Sequence, residues 1–150
     1  ACRRLCTSPV GKTRIIISAD HGFSNLSAGR HYLLAPGDPF LGLLRCPPTG
    51  NETTPVFHLK NGSEERFRRQ FEKRFGSDFL LLSRGEADRL RLFGRGPMSD
   101  VMKKHAGDFI AVAPETAAIS FGNGRKPMSG KKAVHSALLS AEMKIPLIMV

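Results

Sequence analysis

A β-branched run, Ile15-Ile16-Ile17, closes on the small residues Ser18-Ala19 and is followed at once by Asp20-His21-Gly22; this segment constrains the fold of the chain more than any other. Consecutive isoleucines read as a central strand with both faces covered, and the Asp, His and Gly that follow do not continue it comfortably. They belong to a loop at the carboxyl end of the strand, where α/β enzymes keep their chemistry. An ionised carboxylate beside a neutral imidazole supplies two ligands for a divalent metal, and Gly22 lets the backbone turn sharply while leaving room for a phosphate or metal. The tripeptide alone is also compatible with an ordinary polar loop.

A second anchor lies at the other end, where Ala133-Val134-His135-Ser136-Ala137-Leu138-Leu139-Ser140-Ala141-Glu142-Met143 leads into the apolar strand Ile145-Pro146-Leu147-Ile148-Met149-Val150. Taken together, the two anchors resemble the metal-dependent phosphodiesterase and nucleotide pyrophosphatase branch of the alkaline phosphatase superfamily. Its members carry an "ADHG" strand end and, later, a "HGGLSPEEMLVPLLV"-like segment. The correspondence runs through His135, Leu139, Ser140, Glu142, Met143, Pro146 and Leu147. Between the anchors, Phe79-Leu80-Leu81-Leu82-Ser83-Arg84, then Leu92-Phe93-Gly94, then Ala106 to Ala113 is similar to the family's "LFG…IGDLVVLA" stretch and stands in the same order.

The resemblance implies an α/β fold: part of an alkaline-phosphatase-like three-layer α/β/α sandwich with a small inserted α+β cap subdomain. Residues 1–150 correspond to the carboxyl-terminal portion of a phosphodiesterase-like domain, and about 24–108 to the cap-like insertion. It also implies two divalent metal ions, zinc in the usual case, about 4 Å apart, which activate a Thr or Ser nucleophile and clamp the transferring phosphoryl group. Asp20 and His21 match the ligand pair of the metal next to the nucleophile, and His135 matches a ligand of the other.

The nucleophile and the other ligands precede the "ADHG" strand in the family, and the nineteen residues before Asp20 supply no such set. Ser8 and Thr13 stand in the wrong context and read as turn or strand residues. No catalytic nucleophile is therefore assigned, and the chain alone is expected to hydrolyse little or no phosphodiester. The family's two glycines after the histidine are Ser136-Ala137 here, and Ala141 replaces an acidic residue. Those changes predict a reshaped loop or a weakened site.

A net charge of +10 raises a competing reading, a noncatalytic basic binding module on the same scaffold that takes nucleic acid through phosphate contacts. The pattern argues against it. Glu64, Glu65, Glu72, Glu86 and Asp88 interleave with the cations at Arg66 to Arg74 and Arg84 to Arg95, and the chain has no tryptophan, one tyrosine and no basic-aromatic alternation of the kind that stacks bases. Within the enzymatic reading, Arg125, Lys126, Lys131 and Lys132, just before His135, form an anion-attracting rim for a phosphate-ester small molecule or nucleotide, and His31, beside Tyr32, is a further substrate-binding candidate.

No run reaches the ~20 apolar residues that span a bilayer, and the start lacks the core of a signal peptide. Cys2, Cys6 and Cys46 form an odd set with no CxxC pair, which points to reduced thiols in a cytoplasmic protein rather than a disulfide framework. Gly11-Lys12-Thr13 resembles the end of a phosphate-binding loop but leads into a strand and lacks the first glycine at Cys6; Gly122-Asn123-Gly124 reads as a turn.

Phe23 to Asn51, with its Gly, Pro and Ser, reads as an excursion over the active-site edge. Pro55 to Lys60 alternates like a half-buried strand, and His58 there is expected to make a cross-strand hydrogen bond. Ser63 is predicted to cap a helix whose Phe67, Phe71 and Phe75 form one apolar stripe ended by Gly76. Phe79 to Leu82 reads as a strand and Ser83-Arg84-Gly85-Glu86 as a capping box. Ser99 to His105 predicts a short helix stopped at Gly107, with His105 exposed among lysines, and Phe109 to Ala113 and Thr116 to Phe121 read as a returning hairpin. If no earlier part of the sheet covers the Ile15 to Ala19 strand, its edge is exposed and favours self-association.

Overall fold

The structure, a computed structural model, describes residues 15–26, 29–122 and 132–149. Its first and last strands pair: β1 (Ile16–Ser18) runs antiparallel to β10 (Leu147–Met149), with Ile17 opposite Ile148. Next inward, β2 (Ser24–Asn25) pairs antiparallel with β9 (Ala133–Val134), and β3 (His31–Leu34) pairs parallel with β8 (Ala118–Phe121). The middle of the chain makes a four-stranded antiparallel sheet from β4 (Thr49–Asn51), β5 (Thr54–Phe57), β6 (Leu80–Ser83) and β7 (Phe109–Val112), in the order β4-β5-β7-β6. The helices are α1 (Glu64–Phe75), α2 (Arg84–Arg89), α3 (Asp100–His105) and α4 (Ser140–Met143).

The unbroken apolar run of β7 explains its central place, because side chains alternate between the two faces of a sheet and both faces here are covered. Phe109 and Ala111 join the phenylalanine core beneath α1; Ile110 and Val112 join Ala87, Met98 and Ala106 on the side of α2 and α3. Helices thus lie on both faces of this sheet. Phe67, Phe71 and Phe75 are all fully buried, and Phe67 meets Phe40, Phe57 and Phe109 at ring-centroid distances of 5.1, 5.2 and 5.3 Å.

Of the two predicted caps one forms as read, and the structure adds another at Ser99. Ser83 and Glu86 make the complete capping box, and the Ser99 hydroxyl accepts from the Met102 N–H at 3.2 Å. Ser63 does not cap: its backbone is already helical, at φ −90° and ψ −4°, and its hydroxyl makes no cap bond. The α1 start relies instead on Glu64 and Glu65 against the helix dipole, with Lys73 and Arg74 in the last turn. Gly76 ends α1 in right-handed geometry, at φ −61°, whereas Gly107 follows α3 at φ +60°, the left-handed position that glycine favours.

Three expectations require correction. The strands after α3 are not a hairpin, because β7 joins the four-stranded sheet while β8 crosses to β3. The segment from Phe23 to Asn51 is not only a loop, since His31–Leu34 finds a parallel partner more than eighty residues later. And β1 is not covered on both faces: among the described residues it has β10 as its hydrogen-bonded neighbour, so Ile16 stays 61% and Leu147 66% exposed. Among the described residues no helix is long and apolar enough to cross a membrane.

Candidate metal and phosphoester site

Two antiparallel pairings carry the early and late motifs into one place. The loop that holds Asp20-His21-Gly22 leaves β1 and enters β2, while His135 leaves β9, whose Val134 lies opposite Ser24. The rings of His21 and His135, more than a hundred residues apart, therefore stack with centroids 4.1 Å apart and planes 11° from parallel. Phe23 stands edge-on to both, at 5.0 Å from His21 and 5.4 Å from His135.

Each imidazole is held from behind. His21 Nδ1 lies 2.8 Å from the Gly22 carbonyl, which can only accept, so Nδ1 carries the proton of that bond and Nε2 faces away from it. The Asp20 carboxylate accepts from the His21 N–H at 3.0 Å, and its other oxygen is 3.6 Å from His21 Nε2. His135 Nδ1 is 2.8 Å from the Ser136 hydroxyl, which accepts from the Asn51 amide at 2.9 Å, and the Thr53 hydroxyl donates to the His135 carbonyl at 3.1 Å. Phe23, Asn51, Thr53, Val134 and His135 line a cleft of about 340 Å³ beside the rings.

The two departures at this loop have a visible outcome. Ser136 keeps a left-handed backbone, at φ +76°, that a glycine would adopt without strain. Its hydroxyl offsets part of that cost by bonding both Asn51 and His135. Gly22 serves a different end from the one its sequence position suggests. Its N–H donates to the Glu142 carbonyl at 2.9 Å, and a Cβ there would lie 2.6 Å from the Ala141 carbonyl oxygen. The space is taken by the α4 backbone, not left for a ligand.

The donor set can be tested against a divalent ion by distance. Zinc bonds of about 2.0–2.2 Å to nitrogen and oxygen at a tetrahedral angle put the two donors roughly 3.4 Å apart. The 3.6 Å between His21 Nε2 and Asp20 Oδ2 fits one ion held by that pair. Lone pairs of imidazole nitrogens lie in the ring planes, so two stacked rings direct them side by side rather than toward one shared ion. Among the described residues no three His, Cys, Asp or Glu side chains converge on a single point that could hold a metal. The geometry fits two partial ligand sets, not a closed cage.

Of the remaining sequence candidates, His31 bonds Ser120 at 2.7 Å across the β3–β8 pair, and exposed Lys132 uses its carbonyl to accept from the Leu26 N–H, next to β9. Ser8, Thr13, Arg125, Lys126 and Lys131 lie outside the described residues. His58 makes its cross-strand bond, to Thr49 at 3.3 Å, and His105 is exposed. Sequence reasoning did not anticipate Phe23, Asn51, Thr53 or Ser136 as parts of the site. Asn51 and Thr53 reach it through long-range packing that no local pattern encodes. The α1 cations are largely spoken for: Arg68 pairs with Glu64, Arg69 with Glu65 and Arg74 with Asp38.

The chain matches no sequence-family profile and no curated protein sequence. Its structure matches solved ones. Murine ectonucleotide pyrophosphatase/phosphodiesterase 5 superposes over 91% of this chain with a TM-score of 0.59 at 16% identity, and the human enzyme does so with 0.61 at 15%. An inactive variant of the murine protein, solved in complex with AMP, matches equally well. Phosphonoacetate hydrolase from Sinorhizobium meliloti, solved with phosphonoacetate, matches at a TM-score of 0.54 and 18% identity. The chain spans about a third of the length of these structures, 33% and 35%. The likeness shows the fold: the chain has the α/β arrangement of the corresponding third of these structures.

Proposed function

We propose that this chain carries part of the divalent-metal centre of a phosphoester hydrolase, with Asp20 and His21 ligating one zinc ion and His135 a second. The observation that carries the reading is the stacking of His21 on His135 at 4.1 Å, because the two matched motifs meet only if the fold is the one they imply. Fold likeness to proteins solved with AMP and phosphonoacetate supports a small phosphate-ester or phosphonate ligand.

Bound divalent ions would supply Lewis-acid charge to the phosphoryl oxygens. The chain's own residues prepare that chemistry. The Gly22 carbonyl fixes the His21 tautomer, and Ser136 and Asn51 orient the His135 ring. Such partners behind a ligand typically change metal affinity by about 10–100-fold. Phe23 screens one edge of both rings from water, and the cleft beside His135 receives the organic part of the ester. No residue of the chain matches the family's nucleophile, so the proposal is for metal and phosphate binding by these residues, with turnover dependent on groups they do not include.

Zinc titration by calorimetry tests it. Saturable binding weakened about tenfold or more in both Asp20→Ala and His135→Ala, with the fold intact by circular dichroism, is the expected result. Zinc affinity indifferent to both substitutions would overturn the assignment.

A further inference from the structure

Two cations without an ion-pair partner among the described residues, Lys60 and Arg84, lie at the opposite end of the four-stranded sheet from the imidazoles. Thr53, which touches His135, precedes β5, and Lys60 follows it; at about 3.3 Å per residue the two ends are roughly 20 Å apart. There Arg45, Lys60, Asn61, Arg84, Glu64 and Asp108 help line a cleft of about 460 Å³, within the range of small-molecule sites.

The way these groups are held distinguishes the cleft from an ordinary charged surface. Lys60 Nζ donates to the Gly42 carbonyl at 2.9 Å, and the Arg84 guanidinium donates to the Gly107 carbonyl at 3.1 Å and the Lys103 carbonyl at 3.4 Å. Neutral carbonyls fix a cation in place without cancelling its charge. Both acids of the lining are already engaged. Glu64 takes Nε and Nη2 of Arg68, each at 3.3 Å, while Asp108 accepts from the Leu59 N–H at 2.7 Å and from Arg45 at 3.2 Å. Among the described residues Lys60 and Arg84 have no ion-pair partner, so two fixed positive charges face one concavity, with Arg45 beside them half-compensated. Like charges so arranged repel one another and are relieved by an anion that spans them.

We propose that this cleft is a second anion site, separate from the imidazole pair, which takes a small molecule bearing two or more phosphoryl groups. The guanidinium fork of Arg84 suits the oxygens of one group and the Lys60 ammonium a second, while the Asn61 amide adds a neutral donor. A single monoanion satisfies one cation and leaves the other exposed to like charge. Two linked phosphoryl groups satisfy both. The site depends on none of Asp20, His21 or His135, so its success or failure is read independently of the metal assignment.

Calorimetric titration of the full chain with inorganic pyrophosphate, in the presence of a chelator, tests the proposal, with orthophosphate and citrate as comparison ligands. Saturable pyrophosphate binding is expected, at least about tenfold tighter than either, and unchanged in His135→Ala. Lys60→Gln and Arg84→Gln are each expected to weaken it about tenfold or more, while Arg69→Gln, which removes an ion-paired α1 cation, leaves it unchanged. Arg84 also braces two carbonyls, so the exposed Lys60→Gln variant, checked by circular dichroism, carries the decision if Arg84→Gln unfolds. Absence of saturation, equal affinity for citrate, or equal loss in Arg69→Gln would overturn it.

Discussion

Replacing Gly22 by alanine isolates the contact that ties the early motif to the late one. The added Cβ would sit 2.6 Å from the Ala141 carbonyl oxygen and 3.1 Å from the Glu142 Cα, against ordinary contact at 3.4–4 Å. The obstructing atoms are backbone, so no side chain can rotate away; α4 and the Asp20 loop must separate by about 0.8 Å to restore ordinary contact, on the geometry of overpacked sites. That separation stretches the 2.9 Å bond from the Gly22 N–H to the Glu142 carbonyl. Overpacking of this kind costs about 1–3 kcal/mol. For a chain of this length that corresponds to a fall of roughly 3–9 °C in Tm. His21 is the next residue, so zinc affinity is expected to fall with stability. Gly42→Ala is the control: nothing lies within 4 Å of its Cβ position, and its Tm is expected to stay within about 2 °C of the parent. Thermal melts and zinc calorimetry of both variants decide the matter. A Gly22→Ala protein with unaltered Tm and zinc affinity would refute the claim that the α4 backbone sets this loop.

Three further outcomes follow from other contacts. The Tyr32 hydroxyl donates to Asp78 at 2.5 Å, and that bond, with burial, pushes the phenol pKa above the ordinary value of 10.0. A raised folded-state value means the contribution is full below the unfolded pKa and is lost as pH rises through the folded one. Because Tyr32 is the single tyrosine, ultraviolet titration reads it directly, and a midpoint at or below 10 would contradict the contact. Glu86 has its pKa lowered by the Ser83 hydroxyl and backbone N–H, so its stabilisation is present at neutral pH and lost as pH falls from the ordinary carboxylate value through the depressed one. Ser83→Ala should cost about 1 kcal/mol in urea denaturation at pH 7, with a smaller difference in acid; a difference that persists undiminished in acid would count against the capping box. Glu142 is 3% exposed and, among the described residues, both its carboxylate oxygens lack a hydrogen-bond partner. Glu142→Met, which removes those unpartnered oxygens at similar volume, is expected to raise stability by about 1–3 kcal/mol, and a lower Tm would show that the carboxyl group has a stabilising partner.

The elements legible in the sequence are those whose determinants are local. The Phe67, Phe71 and Phe75 spacing fixes which face of α1 is buried whatever that face packs against, and the Ser83-x-x-Glu86 pattern closes its own hydrogen bonds within one turn. The Phe109 to Ala113 run reads as a strand from its composition, though that both its faces are buried follows from packing, as the exposed Ile16 of a similar run shows. Partnership between strands carries no such signature. The same Thr116 to Phe121 segment would serve a hairpin with β7 or a parallel pair with β3, and the choice rests on contacts across nearly ninety residues. The short strand His31–Leu34 was invisible for that reason. Ser63 failed as a cap because the preceding turn holds its backbone in helical geometry, where the hydroxyl is not aimed at the second or third N–H.

The candidate site divides along the same line. Asp20, His21 and His135 stood out in the sequence because the resemblance is carried by residue types in a local frame, and the fold brings the two imidazoles together. The groups that orient them did not, since a second-layer hydrogen bond constrains only a position in space. Asn51 reaches His135 through Ser136, and Thr53 holds the same residue by its carbonyl, yet in sequence both sit in a turn-rich stretch with no mark of function. Ser136 shows how the two layers trade. A glycine there would leave the left-handed backbone free of strain but would give Asn51 nothing to hold, whereas serine accepts the strained φ of +76° and gains a hydroxyl between amide and imidazole. The substitution that reads in sequence as decay of a ligand loop is, in the folded chain, a different way of fixing the same histidine.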